Sequence, residues 1–552
     1  MIVHETFLVE EPVRSLEDVL GLIGRFGPFQ IFIILFTIYV QVFISMTNMA
    51  IVFFQITPDH TCDVGLPTEL WSVEEIKNVS APIINDETGE LDKCSYYGAN
   101  YTAELIGEQL QPWNVTDRIL CASWVFDRTA MRETVVSQWD LVCEDKFMME
   151  HGLMVNFIGM LAGSLFSGVA SDKFGRKQAF FLSLAVMTAA GVALSFAPSF
   201  IWFVIGRFFV MAGAISSALV NFCHTMEMLT GKVRNIVGGL FFVPYACAYS
   251  AVAGVAYLTR DWRVLNFCCA VPAALAFFCA TRIPESPRWL LSKGRIESAR
   301  RVLRKAATLN GRQMPDVDLE TIALTTMSEK SRSPSRRGVL AIFRHKSLVF
   351  RTVIVIAIWM VNTLVYYGLT LNISTFSGDV FVNNALAGAP VEIPAYALLT
   401  LLLLLGRKPS GYLPLTFCGA CLIATHWISE GYFKTLLGLA GKLGITVSFG
   451  AIYVHTTELF PTAIRNSGLS ISSAASRIGS MFAPYISALG KLGKSFDWLP
   501  LVIFGGFSLA GAVLTIFLPE TRGQKMPDTL VEAAAMRWKA ASKRTLRRSE
   551  SQ

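Results

Sequence analysis

Charge is scarce in this sequence: Asp, Glu, Lys and Arg make up 16% of its 552 residues, and histidine occurs 7 times. Several soluble domains would need more charged surface than that, so the shortage points to lipid as the solvent. A phosphate-binding loop is missing as well, because the stretch from Thr225 to Val233 lacks the first glycine and the closing Ser or Thr. No paired metal-ligand or nucleophile-base motif accompanies it. These gaps exclude an ATPase and leave no catalytic class, metal or cofactor to expect. No short apolar run with a small-residue cleavage site precedes the first long apolar segment, so the N-terminus is expected to stay cytoplasmic.

Apolar length, by contrast, is abundant. Hydrophobic residues reach 53% and the mean hydropathy is +0.48. A helix that crosses a bilayer needs about 20 apolar residues. Twelve runs qualify, near 31–54, 152–171, 178–198, 199–222, 236–258, 263–283, 347–371, 385–405, 410–428, 432–454, 466–490 and 498–518. The expectation is an all-α membrane protein in which residues 1–30 and 519–552 are cytoplasmic and a large loop at 57–147 follows the first span.

Orientation follows from Lys and Arg, which resist translocation. The 57–147 loop holds 17 acidic against 6 basic residues and reads as extracellular. The linker at 284–346 carries Lys293, Arg295, Arg300, Arg301, Arg304 and Lys305, and the tail carries Lys543, Arg544, Arg547 and Arg548; both read as cytoplasmic. Topology alone accounts for these clusters, so no nucleic-acid partner is expected, only the bilayer and a small substrate. Cys62, Cys94, Cys121 and Cys143 all fall in the outer loop, where disulfides persist. Three pairings are open. Glycosylation sequons begin at Asn78, Asn100 and Asn114 in the same loop.

The chain also repeats itself at an offset of 231 residues. Gly175-Arg176-Lys177 recurs as Gly406-Arg407-Lys408. His224-Thr-Met-Glu227 with Arg234-Asn235 recurs as His455-Thr-Thr-Glu458 with Arg465-Asn466. Pro284-Glu285 is echoed by Pro519-Glu520, shifted by 235. Two six-helix halves, 31–283 and 347–518, are the natural domains. A parallel repeat of this kind places a substrate cavity between the halves near the bilayer midplane. The repeated charges fall at cytoplasmic helix ends, where ion pairs can form and break as a gate; the alternative is a static staple. His224 and His455 read as structural rather than as proton carriers. Ser328 to Ser335, among Arg332, Arg336 and Arg337, reads as a kinase site or a solvated linker.

Gly163-Ser-Leu-Phe-Ser-Gly168-Val-Ala-Ser-Asp172-Lys173-Phe-Gly175-Arg176-Lys177 resembles the signature loop of the major facilitator superfamily. Pro284-Glu-Ser-Pro-Arg288-Trp-Leu290 and Glu458-Leu-Phe-Pro-Thr-Ala-Ile-Arg465 resemble its organic cation, organic anion and carnitine transporters, as does Gln138-Trp-Asp-Leu-Val-Cys143. Arg260-Asp-Trp-Arg263, Gly378-Asp-Val-Phe381, Val391-Glu-Ile-Pro-Ala-Tyr396 and Ser476-Arg477-Ile-Gly-Ser480 look most like the carnitine and zwitterion branch. The resemblance implies the major facilitator fold, with twelve transmembrane helices in two pseudo-symmetric halves, and alternating-access carriage of small organic ions across the plasma membrane. Gly168, Asp172, Gly175, Arg176, Glu227, Arg234, Glu285, Arg288, Arg407, Glu458 and Arg465 are then the gating residues.

Where cation-selective members of that family carry an acid, this chain has Arg477, whose planar fork suits a carboxylate. The resemblance further places Trp359, Tyr366, Tyr367 and Phe449 at the cavity, where aromatic faces hold a quaternary ammonium. A zwitterion or an organic anion is the expected substrate, with an organic-cation carrier and a non-transporting receptor as alternatives. The chain departs from the carnitine pattern at Ile44 and Ala218, which makes sodium a disfavoured coupling ion. Asn48 resembles the anion branch, whereas Tyr396 stands where that branch has a lysine.

Overall fold

Helices occupy all twelve expected spans in the computed structural model, which describes residues 15–533 except 68–69, 86–89, 99–100, 102–117, 280, 315–316, 333–345, 430, 461–464, 493–495, 525–526 and 528–531. The first half contains α1 Pro28–Phe54, α2 Met148–Phe174, α3 Arg176–Leu194, α4 Phe200–Met228, α5 Gly231–Thr259 and α6 Trp262–Cys279. The second contains α7 Lys346–Asn372, α8 Val380–Leu403, α9 Arg407–Ala424, α10 Tyr432–Leu459, α11 Arg465–Ala488 and α12 Leu499–Ile516. Ten of the twelve are long and apolar enough to cross a membrane unaided. The other two, α9 and α11, are more polar: α9 opens on Arg407-Lys408, and α11 carries Arg477 among serines. Such helices are tolerated in a bilayer when their polar groups face other protein.

Small residues set the helix spacing inside the first half. A Cβ on Gly163 would lie 2.2 Å from the Ala212 carbonyl oxygen, and one on Gly159 would lie 2.5 Å from that of Phe208, so α2 and α4 touch backbone to backbone. Gly168 does not share this role. Nothing lies within 4 Å of a Cβ built there.

The two halves meet toward the side that bears the 57–147 loop, called here the loop side. Ser250 of α5 donates to the Ala385 carbonyl at 2.6 Å, Gln55, just past α1, donates to that of Leu371 at 3.1 Å, and Phe53 stacks on Phe381 at 5.8 Å. Lys491, just past α11, pairs with Glu150 at the start of α2 at 2.7 Å. The opposite side, where the repeated charges lie, is the motif side. It carries further helices at Leu16–Gly24, Pro287–Ser292, Ile296–Leu309 and Leu319–Arg332, the first of which buries Leu16, Val19, Leu20 and Ile23.

The β structure among the described residues lies in the loop and forms three antiparallel pairs. These are β1 His60–Cys62 with β6 Trp124–Phe126, β2 Ile83–Asn85 with β3 Glu90–Leu91, and β4 Ser95–Tyr97 with β5 Arg118–Leu120. Cys62 stands at disulfide distance from Cys121 and Cys94 from Cys143, with Cα atoms 5.2 and 5.7 Å apart, so one of the three pairings open to the sequence is selected. Asn78 is exposed on the helix Val73–Ser80, whereas Asn100 and Asn114 lie outside the described residues. The loop is anchored where two quoted motifs meet. Gln138 accepts from the Trp262 indole at 2.7 Å and from Arg263 at 3.2 Å, and Trp139 packs 5.6 Å from Trp262.

Candidate functional site

Two buried charges lie at the interface between the halves, each in the middle of a membrane helix. Lys442 of α10 is 1% exposed and Glu392 of α8 is 0% exposed. Their nearest charged atoms are 4.0 Å apart, a loose pairing for a buried lysine and carboxylate. Lys442 Nζ donates to Thr370 Oγ1 of α7 at 2.9 Å and to the Tyr249 hydroxyl of α5 at 3.4 Å. It also lies 4.4 Å from the ring centre of Tyr249 and 4.7 Å from that of Tyr366. Glu392 accepts the Tyr366 hydroxyl at 2.5 Å and the Tyr396 hydroxyl at 3.3 Å. The ammonium thus rests between two aromatic faces, the arrangement that holds cations in low dielectric.

Aromatic rings continue from this pair toward the motif side. Tyr366 lies 5.9 Å from Phe449, Phe449 lies 5.9 Å from Trp359, and Trp359 lies 4.4 Å from Tyr453. Tyr367 packs 5.4 Å from Tyr366 and 4.9 Å from Phe157 of α2, which joins the halves. Trp359 is fully buried, and its indole N–H donates to Thr456 at 2.9 Å. Its ring is therefore a wall of the site held in one orientation. Arg477 lies within electrostatic range of Tyr453 and belongs to a stretch of α11 fixed against α7 by the Thr363 hydroxyl, which donates to the Ser476 carbonyl at 2.6 Å. The Arg477 Nε is buried without a hydrogen-bond partner. Asn48 is buried on α1 next to Met49, whose sulfur receives the Tyr245 hydroxyl at 3.7 Å.

The structure thus brings Trp359, Tyr366, Tyr367, Phe449 and Arg477 into one column. It adds Lys442, Glu392, Tyr249, Thr370 and Tyr453, none of which sequence reasoning chose. A signal existed for two of them, since Lys442 and Glu392 are charges near the middle of predicted spans, where a charge marks a functional position by default. Tyr396, seen from the sequence only as a departure, is a ligand of Glu392.

At the motif side the 231-residue repeat becomes a repeat of geometry. Arg176 clasps Glu227 with Nε at 3.2 Å and a terminal nitrogen at 3.0 Å, and Arg407 clasps Glu458 at 2.9 and 2.7 Å. Glu285 accepts the backbone N–H groups of Arg176 and Lys177 at 2.9 and 3.1 Å, as Glu520 does those of Arg407 and Lys408 at 2.9 and 3.0 Å. Each acid therefore caps the start of a helix where the dipole favours negative charge. Gly175 and Gly406 make the turn into these helices at φ 104° and 146°, which L side chains rarely adopt. His224 and His455 donate through Nε2 to the carbonyls of Pro284 and Pro519 at 2.9 and 3.0 Å, a structural use of both rings.

The symmetry is incomplete. Asp172 adds a third contact to Arg176 at 2.9 Å, whereas the matching Leu403 offers Arg407 only its carbonyl at 3.4 Å. Arg234 and Arg288 both reach Glu17 of the N-terminal helix, at 2.9 and 3.6 Å. Arg465, the counterpart of Arg234, donates to the Phe460 carbonyl at 3.4 Å. Both clasps, Arg176–Glu227 and Arg407–Glu458, close within one half.

Comparison with known proteins agrees with this architecture. The family model described as "Sugar (and other) transporter" matches residues 120–529. The human "Organic cation/carnitine transporter 2" is 34% identical over 94% of both chains. A Drosophila melanogaster "Organic cation transporter protein" is 33% identical over 96% of both, and a "Beta-alanine transporter" from the same organism is 31% identical over 94% of this chain and 89% of its own. Among solved structures, a partially occluded, inward-open form of the xylose transporter XylE from E. coli superposes with a TM-score of 0.58 at 17% identity, covering 90% of this chain and 99% of that one. That likeness carries the fold alone. Matching on this scale, together with the doubled motif geometry, places the chain in the major facilitator superfamily of membrane transporters, in the family of the organic cation/carnitine transporters.

Proposed function

We propose that the chain is a plasma-membrane carrier of small carboxylate-bearing organic ions, zwitterions or anions, working by alternating access, with its loop side extracellular and both termini cytoplasmic. One observation carries the reading: Lys442 and Arg477 both belong to the aromatic column, and neither is fully paired. Lys442 keeps Glu392 at 4.0 Å, and the Arg477 Nε has no acceptor. Buried cations are costly until an anion meets them. A substrate carboxylate supplies that anion.

Eleven residues of α10 separate Lys442 from Tyr453, the neighbour of Arg477, about 16 Å along the helix. One small carboxylate cannot touch both cations at once, so they act as two stations. A substrate ammonium takes the place of Lys442 Nζ between Tyr249 and Tyr366 once the substrate carboxylate draws the lysine aside. The twin clasps at Arg176–Glu227 and Arg407–Glu458 hold the helix ends of each half together, and their gating role lies in letting each half rock as a unit. Three relatives named for carriage of organic cations, carnitine or beta-alanine support the substrate class.

Uptake of labelled carnitine, a cationic dye and an organic anion by expressing cells, with and without sodium, tests the reading. Saturable, sodium-independent uptake of a carboxylate is expected, and Arg477→Ala abolishes it at unchanged surface abundance. Uptake of the simple cation alone, or of none of the three, overturns it.

A further inference from the structure

A cavity lies on the loop side at the seam between the halves, apart from the aromatic column. It encloses about 310 Å³ and is lined by Gln55, Glu150, Asn372, Ser487, Lys491 and Asp497 among others. Glu150 belongs to the first half, on the opening turn of α2, and its side chain is 4% exposed. One carboxylate oxygen, Oε1, accepts Lys491 Nζ at 2.7 Å. The other, Oε2, is buried and has no hydrogen-bond partner. An ionised carboxylate offers about four acceptor positions, and leaving a buried one half used is costly. Three neighbouring groups of the wall are turned to other partners: Gln55 donates to the Leu371 carbonyl at 3.1 Å, and Asn372 donates to Ser487 at 2.7 Å, while Lys434 is a second cation on the same wall. Glu150 Oε2 is thus an unfilled acceptor in the cavity wall.

We infer that this cavity is a binding site for a small organic ammonium ion, whose N–H groups fill Glu150 Oε2. The occupant touches Gln55 and Glu150 of one half and Asn372 and Lys491 of the other, so it holds the loop side shut. Lys491 is the chain's own competitor for the same carboxylate. The site does not depend on the proposed substrate, since Arg477 and Lys442 play no part in it.

Thermal unfolding of the purified full-length protein, with ethylammonium, tetramethylammonium and sodium as probes, provides the test. Ethylammonium is expected to raise Tm by about 2 °C or more when in large excess over its Kd. Tetramethylammonium, which has no N–H to donate, leaves Tm unchanged. Glu150→Gln removes the shift, Arg477→Ala keeps it, and Lys491→Ala enlarges it by freeing the carboxylate. No shift in the unaltered protein, a shift that survives Glu150→Gln, or an equal shift with sodium overturns the inference. Should Glu150→Gln fail to fold, a Lys491→Ala protein with a diminished or unchanged shift overturns it just as well.

Discussion

Lys442 Nζ lies 4.0 Å from Glu392 Oε1, and each side chain is almost wholly buried in the middle of its helix. The pair is too loose to be a staple and too buried to be incidental. Tyrosines from three helices complete the hydration that water does not provide: Tyr249 for the lysine, and Tyr366 and Tyr396 for the carboxylate.

Breaking that pair from one side strands a buried charge. Lys442→Ala is expected to cost about 3–5 kcal/mol of stability, whereas Lys442→Met together with Glu392→Gln recovers most of it. Denaturation of the purified proteins measures both. Carboxylate uptake falls at least tenfold in each variant, since neither retains the cation.

The twin clasps give a cycle within each half. Arg407→Ala and Glu458→Ala should each lower surface abundance and uptake, and the double variant should be little worse than either single one. A coupling of about 1–3 kcal/mol is expected for partners sharing bidentate hydrogen bonds. The same cycle at Arg176 and Glu227 should couple similarly, with Asp172 as an added contributor. Additive losses would show that the clasps do not act as units.

Glycine positions separate packing from signature. Gly163→Val pushes a side chain into the Ala212 backbone and should prevent accumulation of folded protein. Gly168→Ala meets nothing within 4 Å and should leave Tm and abundance unaltered. Fluorescence-detected chromatography of the two variants reads the difference.

Acid should loosen the 57–147 loop before the membrane helices. Burial works to raise the Asp59 carboxyl, but hydrogen bonds from Lys77 at 2.5 Å and Lys93 at 2.6 Å outweigh it and bring it to about 2. A folded value below the unfolded one, about 3.9, adds stability that is fully present above pH ~4 and is lost as pH falls through ~2. Hydrogen exchange around Lys77 and Lys93 should accelerate over that window in the native protein. Asp59→Asn should abolish the acid dependence and exchange faster at neutral pH.

Much of this molecule is legible along the chain because its physics is local. Spans can be found by counting apolar residues against bilayer thickness, so even α9 and α11, too polar to qualify by hydropathy alone, fell at 410–428 and 466–490 as expected. The repeat of Arg176, Glu227 and Glu285 as Arg407, Glu458 and Glu520 was visible as spacing, and spacing on helices maps directly onto geometry. Glu392 and Lys442 were visible only as letters, 50 residues apart. One charge in an apolar run says that something must meet it and nothing about what does.

The order of helices, the two halves and the family thus belong to the sequence, since hydrophobic length and motif spacing need no third dimension. The sequence by itself left the cysteine pairing open and did not show that Glu392 has tyrosine ligands, that Trp359 is a wall of the site held by Thr456, or that Glu150 keeps one oxygen empty at the seam. Those were decided by tertiary structure alone. Burial of a charge, and the company it keeps, depends on which helix faces which, and the chain settles that only when all twelve pack together.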